Sequence, residues 1–133
     1  MSKVLVDTNI FIYALDKSSS YHLAANKILS NESLELYTTS KNISEYFAVC
    51  SKLKVDIQKM VGFYEDMKNN IQIIYLSAGS LVHFEKPVEK YAPKGNRVFD
   101  VEIVSIMLHH DIKLISTFNG KDFIAISEVK IWV

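Results

Sequence analysis

Val4, Leu5 and Val6 form an uninterrupted apolar run that ends at Asp7. A strand that is apolar at odd and even positions alike has both faces covered, and this suits a parallel sheet held between helices better than an exposed hairpin. The run is therefore read as a central strand. A lone carboxylate where such a strand stops is costly to desolvate and needs a reason, which makes Asp7 the first candidate site residue.

The rest of the chain alternates between strand and helix signals. Asp7, Thr8 and Asn9 offer helix-starting side chains ahead of Ile10, Phe11, Tyr13 and Leu15, and a second helical stretch runs from about Tyr21 to Leu29. Leu34 to Thr38 reads as strand two. From Ile43 the residues Phe47, Cys50 and Leu53 keep helical spacing, and Asp56 caps a further helix whose stripe is Ile57, Met60, Val61, Tyr64 and Met67. Ile71 to Leu76 reads as strand three, and Leu81 to Tyr91 as a helix weakened by Pro87. Pro93-Lys94-Gly95 breaks the chain before Asp100 opens a helix carrying Ile103, Val104, Met107 and Leu108. Lys113 to Thr117 is strand four and Val129 to Val133 a closing strand. Parallel neighbours need crossover connections, so this order predicts a three-layer α/β/α sandwich with a mostly parallel central sheet. A length of 133 residues with 49% hydrophobic content fits one domain over residues 1–133 and is short for two.

Charge and cysteine usage narrow the chemistry. Fifteen basic residues balance fifteen acidic ones, so an anionic substrate has to be held by a local patch or by metal ions rather than by a global positive field. Cys50 is the single cysteine and sits among apolar neighbours, which excludes an internal disulfide and a thiolate metal cluster. No apolar stretch approaches the roughly 18 residues of a membrane span, and the expectation is a cytoplasmic protein with no membrane association.

In an open parallel sheet, ligands bind outside the carboxyl ends of the strands. Asp7 follows strand one, Glu45 comes shortly after strand two, Asp100 begins a helix, and Asn119 and Asp122 follow strand four. Four segments thus bring oxygen ligands to one edge. Carboxylates held close repel one another and take up protons unless a cation neutralises them. Mg²⁺ or Mn²⁺ suits such a donor set, whereas zinc is disfavoured without paired histidines or cysteines. Asp7, Glu45, Asp100 and Asp122 are the candidate metal ligands, and Asp7, Glu45, Asp100 and Asn119 the candidate catalytic residues. A bound ion of this kind activates water and shields the charge of a leaving oxygen, which points to phosphodiester hydrolysis; one ion or two remain open. Thr8 and Asn9 are candidates both for hydrogen bonds to Asp7 and for helix capping.

With these residues in hand, the chain resembles a PIN domain, and within that superfamily the VapC-type toxins of bacterial and archaeal toxin–antitoxin pairs. The resemblance spans nearly the full length. It rests on Val4-Leu5-Val6 running into Asp7-Thr8-Asn9, on Glu45 at the internal acidic position, on Asp100 at the third, and on the closing Thr117, Asn119 and Phe123. It implies a metal-dependent endoribonuclease that cleaves RNA, forms a homodimer and is silenced by a small cognate antitoxin. Asn119 stands where the family has a fourth carboxylate or an asparagine; it removes one negative charge, and Asp122 is placed to substitute in part.

Each residue also has an ordinary role: Asp7 and Asp100 as helix caps, Glu45 on a solvated helix face, Asp122 in a loop. Lys86, Lys90, Lys94 and Arg97 form a basic segment ahead of Asp100 that is either solvated or placed to hold RNA phosphates. Tyr13, Phe47, Tyr64 and Phe84 read as core or dimer-face residues, and His22, His83, His109 and His110 share no motif. A response-regulator receiver needs an acidic pair behind strand one and a lysine after the last strand, and neither is clear here. A haloacid-dehalogenase-like phosphatase needs a second aspartate where Asn9 stands. The remaining rival is a PIN module that binds RNA or protein without cleaving.

Overall fold

The computed structural model describes residues 1–132. Val133, the last residue of the expected closing strand, lies outside them. The elements run β1 (Ser2–Val6), α1 (Thr8–Leu15), α2 (His22–Leu29), β2 (Leu34–Thr39), α3 (Ser40–Lys52), α4 (Ile57–Lys68), β3 (Gln72–Ile74), α5 (Ala78–Tyr91), α6 (Arg97–His109), β4 (Leu114–Ser116), a 3-10 turn (Gly120–Asp122) and β5 (Lys130–Ile131). All four strand pairings are parallel, in the order β3-β2-β1-β4-β5. The expected α/β/α sandwich is present, with a sheet that is wholly parallel among the described residues.

β1 is the middle strand, and its side chains divide between two cores as its composition requires. Val4 and Val6 enter a cluster with Ile10, Phe11, Ala25, Tyr46, Cys50, Met60 and Met67, which come from α1 to α4. Leu5 faces the other way, against Val104 and Met107 of α6 with Ile115 and Phe123. Register follows the same logic: Val4 lies beside Leu36 and Leu114, and Leu5 beside Tyr37 and Ile115. Cys50 is a buried core residue, as expected.

The strand order positions the site. The chain moves outward from β1 to β2 and β3, then α5 and α6 carry it across the opposite face to β4 on the far side of β1. Connections therefore diverge at the carboxyl ends of β1 and β4, where side chains from distant segments are left around an open crevice.

Several boundaries differ from the sequence expectation, each for a local reason. α3 begins at Ser40, because Thr39 and Asn42 close a reciprocal capping box immediately after β2. Ser77 and Ser80 do the same for α5, which starts at Ala78 rather than near Leu81 and continues through the buried Pro87. The proline forfeits one backbone bond without ending the helix. α6 begins at Arg97, so Asp100 lies in its first turn and is not its cap. β3 is confined to Gln72–Ile74, since the Ile71 N–H bonds back to the Met67 carbonyl at the end of α4 (3.1 Å) and Tyr75 and Leu76 are exposed.

Tyr46 is the largest fully buried side chain, meeting Phe11, Phe47 and Phe63 and donating its hydroxyl to the Met60 carbonyl at 2.8 Å. Truncation by Tyr46→Ala should lower stability in urea unfolding by ~3–5 kcal/mol, as for other large aromatic deletions. Tyr46→Phe keeps the packing and should lose only about 1 kcal/mol with the hydrogen bond.

Candidate active site

Asp7 caps α1 in an extended conformation, and its backbone N–H bonds to the Ser116 carbonyl at 3.0 Å, which ties the ends of β1 and β4 together. The carboxylate is buried, with 9% of the residue exposed. It keeps four donors in exchange for water. Oδ1 accepts from the Thr8 N–H at 2.8 Å and from Asn42 Nδ2 at 3.2 Å. Oδ2 accepts from Thr117 Oγ1 at 2.9 Å and from Asn9 Nδ2 at 3.3 Å. Burial pushes the Asp7 pKa above the ordinary aspartate value; the Thr117, Thr8 and Asn42 donors oppose that rise, and the charge of Asp122 adds to it.

Asn42 is the residue that the sequence pattern left unmarked. It is fully buried on the first turn of α3 and uses both ends of its amide. Nδ2 donates to Asp7 and, at 2.9 Å, to Thr8 Oγ1, while Oδ1 accepts from Thr39 Oγ1 at 2.6 Å. Thr39-x-x-Asn42 directly after a strand is the spacing of a capping box, and that was the available signal. Thr8 and Asn9 support Asp7 and do not cap α1, because Asp7 itself is the cap: the Thr8 backbone N–H and the Asn9 amide donate to Asp7, and Asn9 also reaches Thr117 Oγ1 at 3.0 Å.

Glu45 follows Asn42 by three residues and so lies on the same side of α3, at its exposed surface. Partial desolvation raises its pKa, and the charge of Asp7 raises it further. Asp100, half-buried in the first turn of α6, is pushed up to about 6 by desolvation first, then by the charges of Asp122, Asp7 and Glu45; Arg97 pulls the other way. Asp122 closes the 3-10 turn, with Oδ1 3.9 Å from Arg97 Nη2. Glu45, Asp100 and Asp122 line one cavity of about 420 Å³, together with Lys94, Asn96, Arg97 and Phe99. The Lys41–Glu102 ion pair joins α3 to α6 beside it, and the Lys41 ammonium lies 4.9 Å from the centre of the Phe99 ring.

Asp7, Glu45, Asp100 and Asp122 thus feel one another's charge. Asn119 stands apart: its side chain is exposed, and its backbone N–H donates to Thr117 Oγ1 at 3.0 Å. Of the basic segment, Lys94 and Arg97 reach the cavity, whereas Lys90 is turned to Ser127 Oγ at 3.1 Å and Glu128 at 3.7 Å. Among the described residues, no three Asp, Glu, His or Cys side chains stand close enough to share one ion directly. An all-oxygen set at this looser spacing fits Mg²⁺ or Mn²⁺, which keep several waters and need only one or two carboxylates, and does not fit a closed zinc site.

A family model for the PIN domain matches residues 4–129. The chain belongs to the PIN domain family. Its fold is similar to that of VapBC2 from Rickettsia felis bound to a promoter DNA fragment, with 21% identity, a TM-score of 0.72, and 98% of this chain and 99% of that chain covered. It is also similar to VapC20 of Mycobacterium tuberculosis, described as a Sarcin-Ricin loop cleaving toxin, at 14% identity and a TM-score of 0.73, covering 92% of this chain and 94% of that one. VapBC-1 from nontypeable Haemophilus influenzae matches at 19% identity and a TM-score of 0.71, covering 98% and 96%. No curated protein sequence matches this PIN domain. No helix among its described residues is long and apolar enough to cross a membrane.

Two consequences can be measured. Asn42→Ala removes one of the donors that hold the Asp7 pKa down, so the Asp7 carboxyl, followed by NMR, should titrate at higher pH than in the parent protein. The folded Asp100 pKa is raised from 3.8 to about 6, so its protonation favours the cation-free folded state below the lower value, and that contribution disappears as pH rises through the upper one. Cation-free protein should therefore lose stability over that window relative to Asp100→Asn; parallel stability–pH curves would show that Asp100 is not strained.

Proposed function

We propose that this PIN domain is a divalent-metal-dependent endoribonuclease of the VapC type, the toxin of a toxin–antitoxin pair. One observation carries the reading: at the carboxyl edge of the sheet, burial and neighbouring negative charge, that of Asp122 in the loop after β4 included, raise the pKa values of Asp7 at the start of α1, Glu45 on α3 and Asp100 on α6. A structural role gives no reason to gather four carboxylates there against the single guanidinium of Arg97, whereas cation binding does. Asp7, Glu45, Asp100 and Asp122 would hold the ion, one or two of them directly and the others through its bound waters. When bound, the cation neutralises the carboxylates and the scissile phosphate and makes water acidic enough to attack at neutral pH.

The chain's own groups supply the rest. Asp7, fixed by its four donors, presents its carboxylate without needing to reorganise when substrate arrives. Lys94 and Arg97, on the same cavity wall as the acids, hold phosphates that flank the cleaved bond. Asn119, neutral and exposed in the loop between Thr117 and Asp122, would orient water or substrate and is not a primary ligand. Four of the similar structures are VapBC complexes or toxin–antitoxin assemblies by description, which supports a cognate antitoxin as partner. Such an antitoxin silences the site if it offers a basic side chain to the carboxylates. Tyr75, Leu76, Leu81 and Val82 are exposed around the start of α5 and offer an apolar face for a homodimer.

Purified protein free of any antitoxin should cleave RNA only with Mg²⁺ or Mn²⁺ present, and Asp7→Asn should reduce the rate by roughly 100-fold or more, the scale of losing a preorganised electrostatic group. Asn119→Ala should cost less than Asp7→Asn. Equal losses in two folded variants would make Asn119 a primary catalytic residue, metal-independent cleavage would overturn the role of the cation, and absent cleavage would favour a module that only binds. By light scattering the parent should be a dimer at micromolar concentration, and Val82→Glu should shift it to monomer.

A further inference from the structure

Thr117, whose hydroxyl bonds to Asp7, also lines a second cavity, of about 280 Å³, between α2 and the ends of β4 and β5. Its walls include Phe118, Trp132, Lys27, Asn31 and Ser116. The metal site makes no use of this cavity, and three features of the lining describe its ligand.

Two aromatic side chains come first. Phe118 is held rigidly: its ring stacks on Tyr21 at 4.5 Å between centroids, meets the Tyr13 ring edge-on at 5.7 Å, and its backbone N–H donates to Asn9 Oδ1 at 3.0 Å. The bonds that fix Asp7 therefore also fix this wall. Trp132 is only partly buried and brings a second, larger ring. An oriented amide comes next. Asn31 Oδ1 accepts from Ser33 N at 3.0 Å and from Ser33 Oγ at 2.6 Å, and among the described residues no hydrogen bond uses its Nδ2. The amide consequently offers donors and not an acceptor. Lys27 is the third feature, an exposed ammonium on the rim with no ion pair among the described residues.

We infer that this cavity receives one nucleobase of the RNA strand whose phosphate is cleaved at the acidic edge. A planar heterocycle stacks on the aromatic walls, its carbonyl or ring nitrogen accepts from Asn31 Nδ2, and Lys27 pairs with the phosphate attached to that nucleoside. A cavity at the small end of the ligand-binding range admits one base and not a duplex, so the strand has to be single-stranded or splayed at this point. Because Thr117 belongs to both sites, filling the cavity sets which residue of the strand lies over the carboxylates. The inference rests on the reading of the chain as an RNA nuclease, which names the ligand, whereas the cavity itself can be tested without any cleavage.

Trp132 is the only tryptophan in the chain, so fluorescence excited on the long-wavelength edge, where tyrosine does not absorb, reports on this cavity alone. Wild-type protein without metal is titrated with the four ribonucleoside 5′-monophosphates and, as a control lacking the base, with ribose 5-phosphate. Saturable quenching by at least one nucleotide and none by ribose 5-phosphate is expected. Lys27→Ala should raise the Kd for that nucleotide about tenfold, and Ala24→Phe, which fills the cavity from the α2 side, should abolish quenching in a protein that still unfolds cooperatively. No quenching by any nucleotide, equal quenching by ribose 5-phosphate, or quenching that survives Ala24→Phe would overturn the assignment. RNA cleavage by the same preparation separates the two readings. Cleavage without quenching removes the base site and leaves the nuclease, while quenching without cleavage supports the base site and removes the nuclease.

Discussion

Burying the Asp7 carboxylate at the end of the central strand obliges three distant segments to meet. Its oxygens need donors once water is excluded, and those donors are the Thr8 backbone and Asn9 amide on α1, Asn42 on α3 and Thr117 after β4. Removing any of them exposes the others to the cost of an underpaired buried charge, so the cluster behaves as a unit. Asn42 in turn is held by Thr39, which starts α3, and Thr117 also accepts the Asn119 N–H, which shapes the loop toward Asp122. The helix that carries Glu45 and the loop that carries Asp122 are thus both aimed from Asp7.

The topology explains why the acids collect there. With β1 in the middle of a wholly parallel sheet, and with the chain leaving toward β2 on one side and returning to β4 on the other, the ends of β1 and β4 border the point where connections part. Helix starts such as those of α1, α3 and α6 gather at that edge, and their positive dipole ends tolerate acidic side chains. The dipoles and Arg97 offset only part of the repulsion. Asp100 still lies near a pKa of about 6, which leaves an affinity for positive charge that the folded chain itself does not satisfy.

Much of this was legible in the residues. Val4 to Val6 announced a strand covered on both faces, and the structure gives Val4 and Val6 to one core and Leu5 to the other. Asp7 and Asp122 stood out as carboxylates beyond apolar strands, Asp100 at a helix start and Glu45 early in the helix after β2, and their charges meet in space. Asn42 did not stand out, since a polar residue early in a helix reads as solvated; only the packing of α3 against the end of β1 buries it. The start of α6 was misread for a related reason. Asp100 has the chemistry of a cap, but Arg97 begins the helix behind Asn96, and the aspartate is left facing the cavity. Asn119 matched a sequence pattern while its side chain stays in solvent, because a pattern fixes position along the chain and not direction. Phe118 and Trp132 are far apart in sequence, so no local periodicity could reveal that they wall one cavity.

The claim on which the rest depends is that the acidic edge holds a cation in place of protons. Isothermal titration calorimetry with Mg²⁺ or Mn²⁺, run in two buffers of different ionisation enthalpy, counts the protons released on binding. With Asp100 half-protonated near pH 6, binding there should release on the order of half a proton from this group, and release should vanish well above that pH. Binding with no proton release near pH 6, or no binding at all, would contradict the account.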